Sequence, residues 1–330
     1  MKKIKPWMKI VLSVFIIIAL VGGAAFSYTF YQLSKINTTK ISRTNVDLGI
    51  KPDASLNNKD DNEIINIAFF GLDRREVSDA SRSDAILILS IDGKHKKIKI
   101  SSVMRDTYVE IKDHGKTKIN HAYAYGGPQL AIRTLNENFN LSIRDYVTVD
   151  FFILEKLVDA IGGVNLEVKQ DQIAQLNGLI AEIAKIEKKT TTPITKSGPQ
   201  TLNGLQTVSY SRIRHEAGDD YARTERQRLV LSVILTKIQS LGVTQFPSVV
   251  TKILPFTETS MDSMKIMDLG KKVITSKTTT LEQERFPLDG YSEGKTMAGV
   301  WYLVTDMKAT VDQLHKFIFE DIKPVPKTPL

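Results

Sequence analysis

The sequence contains no cysteine among its 330 residues. That absence excludes a disulfide framework and a lipoprotein anchor, and it leaves no thiol nucleophile. The five histidines show no metal-ligand spacing. A nucleotide-type phosphate loop is missing as well, since Gly126-Gly127-Pro128 lacks the lysine that such a loop needs. The chemistry of this chain must therefore come from its other charged and polar side chains.

Acidic residues are absent from positions 1–46, which hold seven lysines and arginines. Subtracting those seven from the formal net charge of +8 leaves about +1 for residues 47–330. The basic character of the chain is thus a property of its N-terminal segment. A basic footprint spread over the domain is not supported, so we expect no nucleic-acid partner.

Charged residues are also absent from Ile10 to Ser34, a run of 25 mostly apolar residues that is long enough to cross a bilayer as one helix. Four lysines precede it, which predicts a cytoplasmic tail over 1–9, a transmembrane signal-anchor over 10–33 and an extracellular remainder. A cleaved signal peptide is the alternative, because Gly22-Gly23-Ala24-Ala25 supplies small residues. Aromatic residues at the outer end of the run favour a retained anchor. A cell-membrane protein without disulfides fits a Gram-positive bacterium.

Polar residues dominate positions 34–62, which predicts an extracellular linker that lifts the domain off the membrane. The domain itself is predicted over 63–323. Three prolines in the last seven residues, 324–330, predict a disordered tail.

Three strands are predicted at the start of the domain: Ile64–Phe70, Ala85–Ile91 and Lys97–Val103. Their short connections favour an antiparallel meander. The end of the first strand, the start of the second and the end of the third then meet at one edge of the sheet. Six charged residues occupy these places: Asp73, Arg75, Arg82, Asp84, Arg105 and Asp106.

Apolar residues at helical spacing predict several helices after these strands. The helices span about 128–139, 152–161, 171–188, 223–238, 262–275 and 309–319, and further strands are predicted near Val164–Val168, Val208–Arg214 and Val300–Val304. The pattern predicts an α/β layered fold, with a central mixed, partly antiparallel sheet flanked by helices.

The segment Ser211–Gln227 concentrates four arginines and a glutamine. Arg212 and Arg214 lie two apart, on one face of a predicted strand. Arg223, Arg226 and Gln227 share one face of a predicted helix. Because arginine recognises phosphate and carboxylate groups with paired donors, the segment predicts a site for a multiply charged anion.

Structural roles compete with each of these interpretations. Asp73 and Asp84 suit a shared Mg²⁺ ion, or they are loop residues and caps. The arginines suit an anion, or they form salt bridges to Asp106 and to the acidic residues Glu216, Asp219 and Asp220. Gly290-Tyr-Ser292-Glu-Gly294 matches the nucleophile elbow of serine hydrolases, but Pro287 precedes it where a strand is required, which favours a turn. Most of the histidines are expected to be incidental, and His121 is a candidate for a position near the site.

Several motifs occur together in a fixed order. They are Gly71-Leu-Asp73-Arg-Arg75, Ser81-Arg82-Ser-Asp84, Ser102-Val-Met-Arg105-Asp106, Lys118-Ile-Asn120, Ala124-Tyr125-Gly126-Gly127, Leu202-Asn-Gly204-Leu-Gln206 and Arg212-Ile-Arg214 through Gln227. In this order the chain closely resembles the LytR-CpsA-Psr family of bacterial cell-envelope enzymes over about residues 62–245. Met104 departs from the family pattern, in which proline is frequent.

The resemblance implies a phosphotransferase of cell wall assembly, in the class EC 2.7.8. It would move an anionic glycopolymer, such as wall teichoic acid or capsule polysaccharide, from a polyprenyl-pyrophosphate carrier to the muramic acid C6 hydroxyl of peptidoglycan. The polyprenyl chain would occupy a hydrophobic lipid pocket between sheet and helices. Phosphoryl transfer needs positioning and charge neutralisation more than a covalent residue, so the missing nucleophile agrees with it.

The resemblance also assigns roles to individual residues. Asp73 and Asp84 would bind Mg²⁺ (or Mn²⁺). The catalytic set would be Arg82, Arg105, Arg212, Arg214, Arg223 and Asp106, and the substrate-binding set would be Arg75, Lys118, Asn120, Asp220, Arg226 and Gln227. Asp73 and Asp106 are both candidates for the base that accepts the proton of the acceptor.

Three other functions remain possible at this point. A transcription regulator needs a cytoplasmic DNA-binding fold, for which the predicted tail of nine residues is too short. A non-catalytic binder of the lipid-linked polymer would use the same arginines. A pyrophosphatase acting on the same lipid would replace the sugar hydroxyl by water.

Overall fold

The computed structural model describes residues 39–52, 64–72, 81–213, 220–275 and 280–327. The predicted tail and signal-anchor, 1–33, lie outside these ranges. Within them no helix combines the length and the apolarity that crossing a membrane requires.

Twelve strands lie in the described part of the chain. They are Ile64–Leu72 (β1), Ser83–Asp92 (β2), Lys97–Val103 (β3), Tyr108–Ile111 (β4), Gly115–Lys118 (β5), Asp145–Asp150 (β6), Val164–Val168 (β7), Gly198–Leu202 (β8), Glu258–Thr259 (β9), Thr280–Phe286 (β10), Ser292–Met297 (β11) and Val300–Thr305 (β12). Six of them form the central sheet in the order β10-β3-β2-β1-β6-β9. The others pair as β4–β5, β7–β8 and β11–β12.

The central sheet is mixed, as the sequence predicts. β1 pairs antiparallel with β2, and β2 pairs antiparallel with β3, which confirms the meander. β6 and β10 add parallel neighbours at either side. Gly71 pairs with Ala85, and Ile86 pairs with Val103, so the end of β1, the start of β2 and the end of β3 do meet at one edge.

Seven α-helices surround the sheet in the described ranges. They are His121–Phe139 (α1), Phe151–Ala160 (α2), Ile173–Glu187 (α3), Gly204–Ser211 (α4), Asp220–Ile253 (α5), Ser263–Thr275 (α6) and Met307–Phe319 (α7). α1 begins seven residues before Pro128 and is broken by non-helical backbone at Gly126 and Gly127, where the φ of Gly127 is 61°. A left-handed φ of this kind costs glycine little, which permits the break.

Apolar cores lie on both faces of the sheet. On one face Phe70 and Ile88 pack with Ile132 of α1 and Phe317 of α7. On the other, strand residues pack against α5 and α6. A third core joins α2, α3, α4 and α5 with the β7–β8 pair. Because alternate strand residues are buried on opposite faces, the domain has the predicted α/β layering.

One predicted strand, Val208–Arg214, is wrong. Residues up to Ser211 belong to α4, and Arg212 is its C-cap. Asn203 caps the helix with its side-chain oxygen on the N–H of Gln206, and the Gln206 side chain bonds back to the N–H of Asn203. This capping box starts a helix. All eight residues of α4 are buried, so the sequence shows no polar face that would reveal the helical period.

Two segments that the sequence places outside the domain pack on it instead. Residues 39–52 fall in the predicted linker, yet Leu48 is fully buried in the core beside α1, and its carbonyl accepts a hydrogen bond from Asn136 Nδ2 at 2.8 Å. In the predicted disordered tail, the N–H of Lys327 donates to the Asp289 carbonyl at 3.1 Å. A buried leucine in one segment and a backbone hydrogen bond in the other hold these segments against the domain.

Candidate active site

An apolar pocket opens between the central sheet and the helices α2 and α5. It encloses about 770 Å³, including the solvent at its open mouth. Its wall is largely apolar: Phe69, Leu72 and Leu87 come from the sheet, Leu154 and Leu157 from α2, and Val230, Leu231 and Ile234 from α5. The i, i+1, i+4 spacing on α5 turns those three side chains to one helix face. A cavity of this lining suits an elongated hydrophobic molecule.

The mouth of the pocket is polar and cationic. Asp84, Phe151 and Gln227 line both the apolar pocket and an adjoining cavity that Arg212 and Arg223 also line. The apolar space therefore runs directly into a space bordered by two guanidinium groups. Such a pair of spaces fits an amphiphile with an apolar chain and an anionic head.

Arg105 is the junction of the charged groups at this sheet edge. Its Nη1 lies 2.7 Å from Asp84 Oδ1, which confirms the predicted convergence of the ends of β2 and β3. Its Nε lies 3.4 Å from Asp106 Oδ2. The other oxygen of Asp106 is 2.6 Å from Lys118 Nζ on β5. Arg105 and Asp84 are 22% and 27% exposed, so a ligand at the mouth can reach both.

Two arginines of α5 approach the site from the helix side. Arg223 is 5% exposed, and its Nη2 donates to the Asp84 carbonyl at 3.5 Å. Arg226 is buried and donates to the Ile213 carbonyl at 2.9 Å. Arg223 thus lines the cavity that adjoins the apolar pocket. Arg226 instead fixes Ile213, the residue after Arg212, and so supports the site indirectly.

Arg212 enters the site from the end of α4 and not from a strand. Its guanidinium carbon lies 5.0 Å from the centre of the Phe151 ring, and its Nη1 lies 3.9 Å from Glu182 Oε1. The ring holds the guanidinium by a cation–π contact without using its donors. Arg212 remains 25% exposed and available to an anion. The prediction that Arg212 lies on a strand is therefore wrong, and Arg214 lies outside the described residues.

Asn120 supports the Arg105 turn, and His121 follows it as the first residue of α1. Asn120 is buried, and its N–H donates to the Arg105 carbonyl at 3.2 Å. His121 Nδ1 lies 2.9 Å from Thr117 Oγ1. Burial, together with the positive charges of Arg82 and Lys118, lowers the pKa of His121, although Asp106 acts in the opposite direction. The imidazole is therefore neutral at neutral pH, and it does not add to the charge of the site.

Some predicted site residues lie outside the described residues. These are Asp73, Arg75 and Arg214. Asp220 begins α5, but its side chain is not described. Arg82 precedes β2 as an exposed residue close enough to His121 to lower its pKa.

Asp84 suits a hard cation at the mouth. It is a partly exposed carboxylate with Oδ1 bonded to Arg105, and it borders both cavities. Mg²⁺ commonly uses one or two carboxylates and completes its shell with substrate phosphate and water, so a single described carboxylate is compatible with it. Within the described ranges, the one group of three possible ligands is Asp92, His95 and Asp321, at the opposite end of the strands, where the Lys99 ammonium already lies 2.7 Å from Asp92.

Sequence reasoning missed the contribution of the β6–α2 junction. Phe151 borders both cavities, and Asp150 caps α2 by accepting from the N–H of Ile153 at 2.8 Å. The pairing of Leu72 with Asp150 brings this junction to the site edge. The sequence shows an acidic residue before an apolar helix, which is a cap signal, but nothing in that pattern indicates which strand β6 pairs with.

The fold and the site define an α/β protein with an apolar pocket and a cationic mouth. The model of the LytR_cpsA_psr family matches residues 26–317, and the chain belongs to this family. It is 33% identical over 284 residues to the polyisoprenyl-teichoic acid–peptidoglycan teichoic acid transferase TagU of Enterococcus faecalis, covering 83% of this chain and 86% of the relative. It is 30% identical over 247 residues to the corresponding transferase TagT of Bacillus subtilis, covering 73% of each.

Solved structures show the same architecture. The TagT structure with bound octaprenyl pyrophosphate lipid superposes with a TM-score of 0.61 at 26% identity, over 86% of this chain and 98% of the other. TagT bound to LI-WTA superposes with a TM-score of 0.64 at 27% identity over the same shares. The resemblance read from the sequence motifs is therefore confirmed.

Proposed function

We propose that this protein transfers an anionic glycopolymer from a polyprenyl-pyrophosphate carrier to the muramic acid C6 hydroxyl of peptidoglycan. The observation that carries the proposal is the continuity of the two cavities through Asp84, Phe151 and Gln227. An apolar chain fits one cavity, and a diphosphate fits the other. The names of TagU and TagT as teichoic acid–peptidoglycan transferases, and the lipid in the TagT structure, support this assignment.

The reaction displaces polyprenyl phosphate from the phosphorus that carries the glycopolymer. The acceptor oxygen forms a new P–O bond, the bond to the bridging oxygen breaks, and the acceptor proton leaves. Arg105, Arg212 and Arg223 neutralise the charge that develops on the phosphoryl and leaving oxygens. Asp106 bonds to Arg105 and Lys118 through both oxygens, so we assign it to holding these two cations in position. Asp73 then remains the candidate base, and it would accept the acceptor proton on the carboxylate oxygen that does not bind the metal.

Asp84, with Asp73, would hold Mg²⁺ (or Mn²⁺) at the mouth. The ion would add a further positive charge beside the phosphate oxygens. Asp84→Asn should raise the Mg²⁺ concentration needed for half-maximal turnover, because a neutral amide is a weaker ligand. Equal Mg²⁺ dependence in Asp84→Asn and the parent protein would remove Asp84 as a ligand.

The proposed location follows from the substrate. An extracellular domain held by the 10–33 segment would meet a lipid carrier in the same membrane, and tethering raises its effective concentration there. A membrane partner and a peptidoglycan partner are both expected. Protease added to intact cells should cleave the domain, whereas protection of the domain would contradict this orientation.

A transfer assay tests the proposed activity. The full chain in detergent micelles would be given Mg²⁺, a polyprenyl-pyrophosphoryl oligosaccharide and peptidoglycan strands. We expect a phosphodiester-linked product and one polyprenyl phosphate per transfer. Tight lipid binding without turnover would favour a binding protein. Release of the phosphorylated oligosaccharide in the absence of strands, at the same rate, would favour a pyrophosphatase.

A further inference from the structure

The β11–β12 hairpin lies beside the charged cluster. Thr107, next to Asp106, forms a parallel bridge with Leu303 of β12. The N–H of Leu303 donates to the Asp106 carbonyl at 2.9 Å. The hairpin is therefore fixed to the segment that follows Arg105.

Aromatic side chains cover this part of the surface. Trp301 is 44% exposed, and the rings of Tyr108 and Tyr302 meet edge-on with centroids 4.9 Å apart. Lys118 Nζ lies 5.8 Å from the Trp301 ring and 6.0 Å from the Tyr302 ring. Tyr302, the next residue of β12, belongs to the opposite face of the hairpin, where it meets Tyr108, so the exposed indole of Trp301 alone is what we call the aromatic platform.

The Trp301 indole is held in place although it is exposed. A Cβ atom at Gly294 of β11 would come within 2.8 Å of the indole Nε1, so the indole lies across the neighbouring strand where a glycine leaves room for it. An ordered aromatic side chain loses little conformational freedom on binding. Exposed aromatic surface in this form is typical of recognition sites.

A chain of contacts joins the platform to the mouth of the pocket. Asp84 contacts Arg105, Arg105 contacts Asp106, Asp106 contacts Lys118, and Lys118 lies over Trp301. The lipid pocket lies at the Asp84 end of this chain, and the platform lies at the other. A second substrate can therefore approach the arginines from the platform without crossing the lipid.

We propose that the aromatic platform binds sugar rings of the acceptor glycan strand, an inference that rests on the proposed transferase function. A pyranose ring has an apolar face of C–H groups that stacks on aromatic rings, and hydroxyl groups at its edge that bond to charged side chains such as Lys118. A membrane surface is a poorer match, because the hairpin exposes polar residues on both faces: Thr296 beside Trp301, and Glu293 and Lys295 on the other face. The lipid-linked donor substrate would then reach the mouth of the pocket from one side, and the acceptor glycan strand would reach it from the other.

Tryptophan fluorescence measures this binding without turnover. The chain has two tryptophans, Trp7 and Trp301. In the full-length Trp7→Phe protein, soluble unmodified peptidoglycan glycan strands should change the Trp301 emission in a saturable manner. Absence of any change at strand concentrations that support transfer would overturn the inference. Saturable binding without transfer would support glycan binding at the platform and would contradict only the proposed transferase function.

Kinetics give the second test. Trp301→Ala should raise the KM for glycan strands about tenfold, while the KM for the lipid donor stays unchanged. Gly294→Ala should raise it less by displacing the indole, and Trp301→Tyr should restore most of the affinity. Phe256→Ala is the matched control, since Phe256 is 46% exposed and packs against Phe152 of α2 rather than against the hairpin. An unchanged acceptor KM in Trp301→Ala, or an equal rise in Phe256→Ala, would overturn the inference.

Discussion

Strands β2 and β3 carry a charged cluster at each of their two ends, and the two clusters differ in how they are paired. At the end away from the pocket, Lys99 Nζ contacts Asp92 at 2.7 Å and Asp321 at 3.2 Å, and the side chains of Lys99 and Asp92 are fully buried. Lys97 contacts Asp321 and Glu282, both at 2.8 Å. We call this the closed end.

Among the described residues, the end at the pocket mouth, which we call the open end, has more cations than carboxylates. Arg82, Arg105, Lys118, Arg212 and Arg223 gather there near four carboxylates, Asp84, Asp106, Asp150 and Glu182. Several of these side chains remain a fifth to a quarter exposed. At the closed end the Lys99–Asp92 pair is fully buried and costly to break, whereas an excess of accessible cations is suited to an anionic ligand. The same two strands therefore serve stability at one end and binding at the other.

Breaking the closed end should have the largest effect on stability. Lys99→Met leaves the Asp92 carboxylate buried without its ammonium partner, so the free energy of unfolding should fall by about 3 kcal/mol or more. Urea unfolding measures it. Lys97→Met is the control: its side chain is 24% exposed, and the loss should stay below about 1 kcal/mol. Equal losses in the two variants would contradict the distinction between buried and exposed pairs.

Breaking the open end should affect turnover and leave stability nearly intact. Arg105→Ala removes a donor that we propose neutralises the transferring phosphate, so turnover should fall on the order of a hundredfold or more. Its unfolding free energy should change by less than about 1 kcal/mol. Lys316→Ala, which removes an exposed cation paired with Asp312, is the control and should keep full activity. Unchanged turnover in Arg105→Ala would exclude Arg105 from the mechanism.

Filling the apolar pocket should separate chain binding from head-group binding. Leu231→Trp on α5 narrows the pocket, so the KM for a long polyprenyl donor should rise about tenfold while that for a short-chain donor stays near its original value. Leu229→Trp, at a residue that is 36% exposed and does not line the pocket, provides the comparison. If both variants respond alike, the polyprenyl chain binds elsewhere.

The stabilisation at the closed end and that at the open end should also be lost over different pH ranges. We expect this to be the smallest of the effects. At the closed end, burial opposes ionisation of Asp92, but hydrogen bonds from Lys99 and His95 lower its pKa below 3.8, so this stabilisation is lost only in strong acid.

His121 at the open end has a pKa lowered from 6.5 by burial, Arg82 and Lys118. Below pH 6.5 the unfolded chain binds a proton that folded His121 resists, so stability falls as the pH drops.

His121→Gln should remove the part of the stability loss at low pH that comes from the titration of His121. The variant should lose less stability than the parent protein between pH 7 and pH 5, measured by urea unfolding at each pH. A steeper decline in the variant would mean that His121 is stabilised in its charged form. At pH 8 the imidazole is neutral in both states, so the titration of His121 contributes nothing there.

Local patterns predicted most of the fold, and tertiary pairing explains what they missed. β1 and β2 are apparent as short apolar runs, and β3 is apparent from its alternation of polar and apolar residues. The polar hairpin β4–β5, with the sequence Gly-Lys-Thr-Lys in its second strand, and the two-residue β9 carry no such signal. α4 was mistaken for a strand because burial on every side hides a helical period.

The sequence predicts which site residues meet only where short loops between strands determine which strands are neighbours in the sheet. The meander brings Arg105 to Asp84, and the contact at 2.7 Å follows directly. Phe151 and Trp301 could not be found in this way, since their positions depend on the parallel pairing of β6 with β1 and on the attachment of β12 to Asp106. These contacts join residues far apart in sequence, and no local spacing encodes them.

A structure of the full chain with a polyprenyl pyrophosphate tests the assignment of the open end most directly. We expect the prenyl chain between the sheet and α5, against Leu87 and Leu231, with the diphosphate in contact with Arg105, Arg212 and Arg223. The closed end should be unchanged. A lipid bound outside this pocket, or a diphosphate that contacts none of these three arginines, would contradict the assignment.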